Sequence, residues 1–301
     1  MSFFCKEKFG LHNARMMGRK RAAFCCFLLP SFAGVLLFVL LPFLDVVRRS
    51  FRTAVTGEFT GLKNYRAVFQ NQAFLLAVKN TARFSLVSIP LLVAAGFLVA
   101  VLLSGLQEKT LIQSMYLFPL AMPTATIVLV WKMVFYRQGF LNLFLGKLGE
   151  ITGLWGEVGV DYLSTGASFW VLAASYLWKN TGYTALLWLA GILAVPNELL
   201  EAARVDGAGR WRCIRYIVLP NLKSTFYTIV VLSFLNSFKI YREAYLVAGS
   251  YPQEAIYLLQ HLFNNWFVNL EFDKMAAAAV CVGGFLFLAI ILLKRLWDRE
   301  D

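Results

Sequence analysis

Residues 201–220 read EAARVDGAGRWRCIRYIVLP and form a polar segment between two long apolar stretches. The segment opens with EAA at 201–203, has Gly207 three residues later, and after nine more residues ends in IVLP at 217–220. Good helix-forming residues before Gly207 predict a short helix that the glycine ends. A second short helix is predicted from about residue 210 to residue 220. Such a pair of helices can place an apolar ridge in a groove on another protein.

The composition indicates an all-α integral membrane protein. The chain has 301 residues, of which 59% are hydrophobic and only 15% are charged, whereas a soluble domain carries about 25% charged residues. The net charge of +12 does not indicate a nucleic-acid partner, because the basic residues flank apolar runs instead of forming a stripe on a soluble surface. The five cysteines have no metal or redox spacing, so no metal site is predicted.

Six apolar segments are long enough to cross a lipid bilayer as helices. The first follows a basic N-terminal segment, and it is too long for the apolar part of a signal peptide. The polar segment that contains the EAA triplet separates the fourth span from the fifth, and a short charged tail follows the last one. The predicted boundaries are 1–23 for the basic segment, 24–295 for the membrane domain with spans at 24–47, 81–104, 111–135, 167–195, 222–247 and 275–293, 196–221 for the polar loop, and 296–301 for the tail.

The distribution of Lys and Arg predicts the orientation of the chain. Basic residues are more numerous in the N-terminal segment, the polar loop and the tail than in the opposite loops, and short cytoplasmic loops carry such an excess. Arg48, Arg49 and Arg52 argue locally against this orientation. The bias favours an orientation with both termini and the polar loop in the cytoplasm.

The chain lacks a motif that would power transport by itself. A phosphate-binding loop requires the pattern GxxxxGK followed by Ser or Thr, and the nearest approach, at 146–148, lacks the hydroxyl residue and the earlier glycine. A secondary carrier usually places an ion-binding acid inside the membrane, and we expect none here, since Asp45 lies at the end of a span. An intramembrane enzyme would need a catalytic cluster within the spans, which the sequence does not predict.

The spacing of the polar segment resembles the EAA loop of permease subunits in binding-protein-dependent ABC importers, with the pattern EAA, three residues, Gly, nine residues, I-x-L-P. Further stretches resemble the sugar-uptake branch of these permeases, in the same order along the chain. They are FLLPSFAGVLLFVLLPFL at 27–44, FTGLKNYRAVF at 59–69, LFPLAMPTATIVLVWKMVF at 117–135, WKNTGYTALLWLAGI at 178–192 and LNSFKIYREAYLVAG at 235–249.

The resemblance implies a half-transporter that has no ATPase site of its own. Its expected partners are a second, homologous permease subunit in a heterodimer, a cytoplasmic ABC ATPase dimer that binds ATP and Mg²⁺, and an extracellular solute-binding protein. The loop between the fourth and fifth spans would be a cytoplasmic helix-turn-helix that couples the chain to the ATPase. The resemblance thus implies the orientation that the charge bias favours, in the plasma membrane of a prokaryotic cell. The coupling residues that the resemblance assigns are Glu201, Ala202, Ala203, Gly207, Ile217, Leu219 and Pro220.

The cargo implied by the resemblance is a carbohydrate, a disaccharide or an oligosaccharide, with glycerol phosphate or an acidic sugar as the alternative. Polar residues at 179–182 predict an interruption in the middle of the fourth span, which is tolerated where a span lines a cavity. A sugar requires flat apolar faces beside hydrogen-bonding groups. The predicted cargo path therefore contains Trp131, Lys179, Asn180, Tyr183, Asn236 and Lys239.

Overall fold

The computed structural model describes residues 28–105, 110–153 and 159–297 of the chain. Within these residues, every named secondary-structure element is a helix. The helices are numbered in chain order. They are α1 (Leu28–Ser50), α2 (Lys63–Gln70), α3 (Gln72–Ser104), α4 (Thr110–Ala121), α5 (Thr124–Phe135), α6 (Phe140–Thr152), α7 (Ser168–Leu193), α8 (Asn197–Val205), α9 (Arg210–Asn221), α10 (Lys223–Ser237), α11 (Tyr241–Ala248), α12 (Leu259–Val268) and α13 (Phe272–Trp297).

Three of the described helices, α1, α3 and α13, are each long and apolar enough to cross a membrane without a break. Three further spans result if each of three bent helix pairs counts as one, which gives up to six. The bent pairs begin at Met115, Ser168 and Arg210, and their bends are 104°, 70° and 70°. The all-helical membrane architecture predicted from composition is therefore confirmed.

The predicted interruption of the fourth span is wrong, because α7 is helical from Ser168 to Leu193 without a break. Asn180 and Thr181 do not break it because each hydrogen-bonds to a carbonyl of its own helix, the Asn180 Nδ2 to Tyr176 O at 2.8 Å and the Thr181 Oγ1 to Leu177 O at 2.6 Å. A side chain that donates to the carbonyl four residues back has its hydrogen-bond partner within its own helix, so the helix can continue through it.

Breaks occur instead in the spans on either side of α7 in sequence. The third predicted span is divided at Pro123, which has an extended backbone (ψ 138°) and starts α5. The fifth contains a 3₁₀ segment at Phe238–Ile240 between α10 and α11. A 3₁₀ segment within a helix often marks a hinge or strain.

The chain divides into two compact units, the first of which consists of residues 1–68 and 270–284. In its described part, a tight connection joins the end of α1 to α2. The Asn64 Nδ2 donates to the carbonyls of Ser50 and Arg52 at 3.0 and 2.8 Å, and the Ser50 hydroxyl lies 2.7 Å from the Tyr65 hydroxyl. Asn64 and Tyr65 belong to the GLKNYR sequence, which therefore has a structural role in this connection.

The second unit, residues 69–269 and 285–301, is built around the pair α3 and α7. Small residues allow these helices to approach closely: a Cβ on Gly96 would lie 2.6 Å from the Thr184 Cγ2. Near the end of this pair, Trp188 and Leu189 form a cluster with Val218 of α9 and with Leu222. The cluster fixes α9 against the membrane helices.

Candidate transport pocket and coupling segment

A pocket of about 360 Å³ lies between α7 and the broken helix pair α10 and α11. Five of the six residues predicted for the cargo path line it together. The lining consists of Leu120, Tyr176, Lys179, Asn180, Tyr183, Leu232, Asn236, Lys239, Ile240 and Glu243. Its combination of aromatic, aliphatic and hydrogen-bonding groups is typical of small-molecule sites.

The residues of α7 bring polar groups and an aromatic ring to the pocket. One side of this helix carries Lys179, Asn180 and Tyr183. Tyr183 is four residues after Lys179 and three after Asn180, the spacings at which helical side chains are neighbours. Tyr176, one turn earlier, is buried and donates from its hydroxyl to the Ser233 carbonyl of α10 at 2.7 Å. The contact joins α7 to α10 at the pocket wall, which Tyr176 also lines.

The opposite wall is formed by the end of α10 and the 3₁₀ segment. Asn236 is half-buried and Lys239 is exposed. The Lys239 Nζ donates to the Asn236 Oδ1 at 2.8 Å, across the start of the 3₁₀ segment. Because the segment tightens the helix, these two side chains lie together at the pocket edge.

Glu243 is a pocket residue that the sequence analysis missed. It lies on α11 with only 3% of its side chain exposed, and its Oε1 accepts from the Lys179 Nζ at 2.7 Å. The expectation that the spans hold no acid at depth is wrong, since Glu243 falls within the predicted span 222–247. Lys179 was the one indication of such an acid in the sequence, because a buried lysine needs a charged or polar partner.

Trp131 does not line the pocket. Its Nε1 donates to the Ser175 Oγ at 2.8 Å, and its ring packs edge-on against Trp178 with 5.7 Å between centroids. The indole therefore joins α5 to α7 next to the pocket, and its polar group already has a partner.

The predicted coupling segment comprises α8, α9 and the turn between them. Gly207 has a φ of +77°, in the left-handed region that favours glycine, and the Ala208 N–H donates to the Ala203 carbonyl at 2.8 Å. A residue of this conformation after a helix terminates it and turns the chain. Around the turn, Glu201 and Ala202 are exposed and Ala203 is half-buried.

The exposed surface of this segment carries both large apolar and charged side chains. Val205 is 87% exposed, Trp211 76% and Tyr216 71%, and the exposed charged residues among them include Arg204, Asp206, Arg210, Arg212 and Arg215. Leu219 and Pro220 are also exposed, whereas Ile217 is half-buried. The exposed ridge of α9 therefore consists of Trp211, Tyr216 and Leu219.

Comparison with known families identifies the chain. Residues 92–299 match the family described as the binding-protein-dependent transport system inner membrane component. The chain belongs to this family. The resemblance inferred from the EAA spacing is confirmed, and this transport permease contains the pocket and the exposed segment within the matched residues.

Relatives and a solved structure support the same assignment. The trehalose/maltose transport system permease protein MalF of Thermococcus litoralis is 30% identical over 284 residues, 91% of this permease and 93% of the relative. The sn-glycerol-3-phosphate transport system permease protein UgpA of Pectobacterium atrosepticum is 25% identical over 255 residues, 82% of each chain.

The fold is shared with a chain of a bacterial ABC transporter involved in the import of the acidic polysaccharide alginate. The TM-score is 0.80 at 20% identity, over 96% of this permease and 99% of that chain. The permease therefore has the same fold as this chain of the transporter.

Proposed function

We propose that this permease is one of the two transmembrane subunits of an ATP-driven importer for a disaccharide or oligosaccharide. The observation that carries the proposal is the pocket, in which Asn180, Tyr183, Asn236 and two lysines surround a volume of about 360 Å³. Side-chain amides, a phenol and ammonium groups supply hydrogen bonds that suit hydroxyl-rich cargo. The 30% identity to a trehalose/maltose permease supports a carbohydrate.

The segment containing α8 and α9 is proposed to couple the permease to a cytoplasmic ABC ATPase dimer. Its exposed ridge of Trp211, Tyr216 and Leu219 supplies apolar contact area, and Gly207 sets the turn that presents it. The buried side of α9, through Val218, contacts the cluster around Trp188. A displacement imposed by the ATPase would therefore reach α7, which lines the pocket.

The remaining partners follow from this assignment. A second, homologous permease would complete the channel as a heterodimer, and an extracellular solute-binding protein would deliver the cargo. The ATPase subunits would bind ATP and Mg²⁺, since the permease supplies no phosphate-binding loop. Both termini and the α8–α9 segment would lie in the cytoplasm, and up to six spans would cross the membrane.

Glycerol phosphate or an acidic sugar is the second candidate cargo. The 25% identity to a glycerol-3-phosphate permease favours it. Lys239 adds an ammonium group to the pocket, but this side chain is exposed and contacts Asn236, so its attraction for an anion is weak. Neutral and acidic cargo therefore have to be compared directly.

The test is uptake by the complete complex in proteoliposomes. The permease, its partner permease, the ATPase and the binding protein are reconstituted with trapped ATP, and labelled maltose, trehalose, alginate trisaccharide and glycerol 3-phosphate are supplied outside. We expect ATP-dependent accumulation of a carbohydrate, and none when the ATPase is omitted. Accumulation of glycerol 3-phosphate alone would favour the second candidate. ATP-independent accumulation by this chain alone would overturn the importer assignment.

A further inference from the structure

The ion pair between Lys179 and Glu243 sits in the wall of the pocket. The Lys179 Nζ and the Glu243 Oε1 are 2.7 Å apart, and 21% of the Lys179 side chain and 3% of the Glu243 side chain are exposed. Lys179 therefore offers the more accessible surface to cargo, whereas Glu243 lies behind it. The two residues belong to different helices, α7 and α11.

The pairing changes what Lys179 can do in the pocket. In a partly buried site, an isolated ammonium attracts anions strongly because the surrounding dielectric is low. An ammonium whose charge is balanced by a carboxylate at contact distance still has N–H groups to donate, but its long-range attraction for an anion is largely cancelled. Lys179 thus acts as a hydrogen-bond donor with little net charge.

Lys239 provides an internal comparison. It lines the same pocket and contacts the Asn236 amide, but its side chain is exposed. Exposed charges are screened by solvent and salt, so their contribution to binding is small. The buried pair should therefore govern the charge preference of the pocket more strongly than the exposed lysine.

We infer that Glu243 determines the charge selectivity of the transport pocket by neutralising Lys179. Glu243 acts through Lys179 and is a positioning residue, whereas Lys179 touches the cargo. The inference rests on the proposed function, because it assigns this role within the proposed cargo site. It is specific to the ion pair and does not depend on which carbohydrate is transported.

The experiment compares neutral and acidic probes of equal length in the complete reconstituted complex. The probes are maltotriose, cellotriose and xylotriose, each paired with the aldonic acid made by oxidising its reducing end. Uptake is measured for wild type, Glu243→Gln, Lys179→Gln, the double variant and Lys239→Gln. All variants receive cargo from the same binding protein, so dividing each uptake by the wild-type value cancels the discrimination made by that protein.

We expect Glu243→Gln to raise the ratio of acidic to neutral uptake by about tenfold, which corresponds to about 1.4 kcal/mol. Lys179→Gln should lower the ratio, since it leaves the carboxylate unbalanced, and this variant carries the test if Glu243→Gln does not assemble. The double variant should return the ratio to within about threefold of wild type. Lys239→Gln should change it by less than about twofold.

Equal loss of both kinds of uptake in Glu243→Gln, with an unchanged ratio, would overturn the inference and indicate a purely structural pair. A shift that persists in the double variant, or an equal shift in Lys239→Gln, would also overturn it. Uptake of glycerol 3-phosphate by the wild type, with no uptake of any carbohydrate, would instead overturn the proposed carbohydrate function, and this inference with it.

Discussion

Gly182 on α7 lies directly against the backbone of Tyr116 on α4, and a Cβ built on Gly182 would overlap the Tyr116 carbonyl. The contact is with backbone atoms, which cannot move aside as a flexible side chain can. The glycine at 182 is therefore explained by close helix packing, and not by a helix break as its neighbours suggested in the sequence.

Gly182→Ala should destabilise the protein by about 1 to 3 kcal/mol, the range for overpacking of a packed interior. The matched control is Gly146→Ala on α6, where a Cβ would meet no atom within 4 Å, and where alanine should be neutral or slightly stabilising. Thermal unfolding of the purified complex in detergent measures both variants. Equal unfolding temperatures for Gly182→Ala and wild type would contradict the packing assigned to this crossing.

The coupling segment can be tested with two glycines that differ in backbone conformation. Gly207 has a φ of +77°, whereas Gly209 has a φ of −69°, and both have open space around a built Cβ. Gly207→Leu should abolish most ATP-driven uptake, because it adds strain of about 1 kcal/mol and bulk at the turn. Gly209→Leu adds the same bulk without that strain. Comparing ATP-driven uptake by the two variants therefore separates the effect of backbone strain from the effect of bulk.

Glu201→Lys tests the charge at the same surface. Glu201 is exposed on α8, so its reversal should leave folding unchanged within about 0.5 kcal/mol. We expect the variant to insert normally and to lose copurification with the ATPase. Wild-type uptake in both Glu201→Lys and Gly207→Leu would show that this segment is not the ATPase contact.

The orientation of the chain predicts a labelling pattern. In a background without native cysteines, a cysteine at Glu150 should react with an impermeant thiol reagent added outside cells. Glu150 is chosen because it is exposed at the end of α6, next to the buried Gly149. A cysteine at Gly209 in the coupling segment should react only after permeabilisation. The opposite pattern would reverse the proposed topology.

The sequence predicted the parts of the molecule that depend on local patterns. Long apolar runs indicated where the membrane helices lie but not the breaks at Pro123 and Phe238–Ile240, and the EAA segment lies on two short helices with the Gly207 turn between them. The residues of the cargo path were placed by composition and spacing, and Lys179, Asn180 and Asn236 do share a pocket. Such features are readable because they depend on residues near one another in the chain.

Contacts between distant residues were not predictable in the same way. Glu243 lies 64 positions from Lys179, and no local pattern indicates that the two meet. Likewise, the interruption expected at 179–182 assumed that polar residues break a buried helix, but Asn180 and Thr181 bond to their own helix. His261 is also fully buried, on α12, through contacts with residues that no local pattern brings together with it.

The buried environment of His261 predicts a pH-dependent stability. Its Nδ1 accepts from the Leu258 N–H at 3.2 Å, and its ring packs edge-on against Tyr241 at 4.8 Å and stacks on Tyr257 at 5.8 Å between centroids. The Nε2 has no hydrogen-bond partner in the described part of the chain. Burial lowers the pKa of His261 from 6.5 to about 4, because the charged imidazolium is poorly solvated there.

The sign of the effect follows from proton binding. Between about pH 6.5 and pH 4 the unfolded chain binds a proton at His261 that the folded chain does not, so the free energy of unfolding falls as the pH falls. The contribution is fully present above pH 6.5, and the loss reaches about 2 kcal/mol at pH 5.

His261→Gln removes the titrating group and should flatten this part of the profile, although it lowers stability at neutral pH through lost packing. Thermal unfolding temperatures of wild type and variant from about pH 8 to pH 5 measure the difference. Parallel profiles would mean that the pKa of His261 is the same in the folded protein and in the unfolded chain, in conflict with its burial.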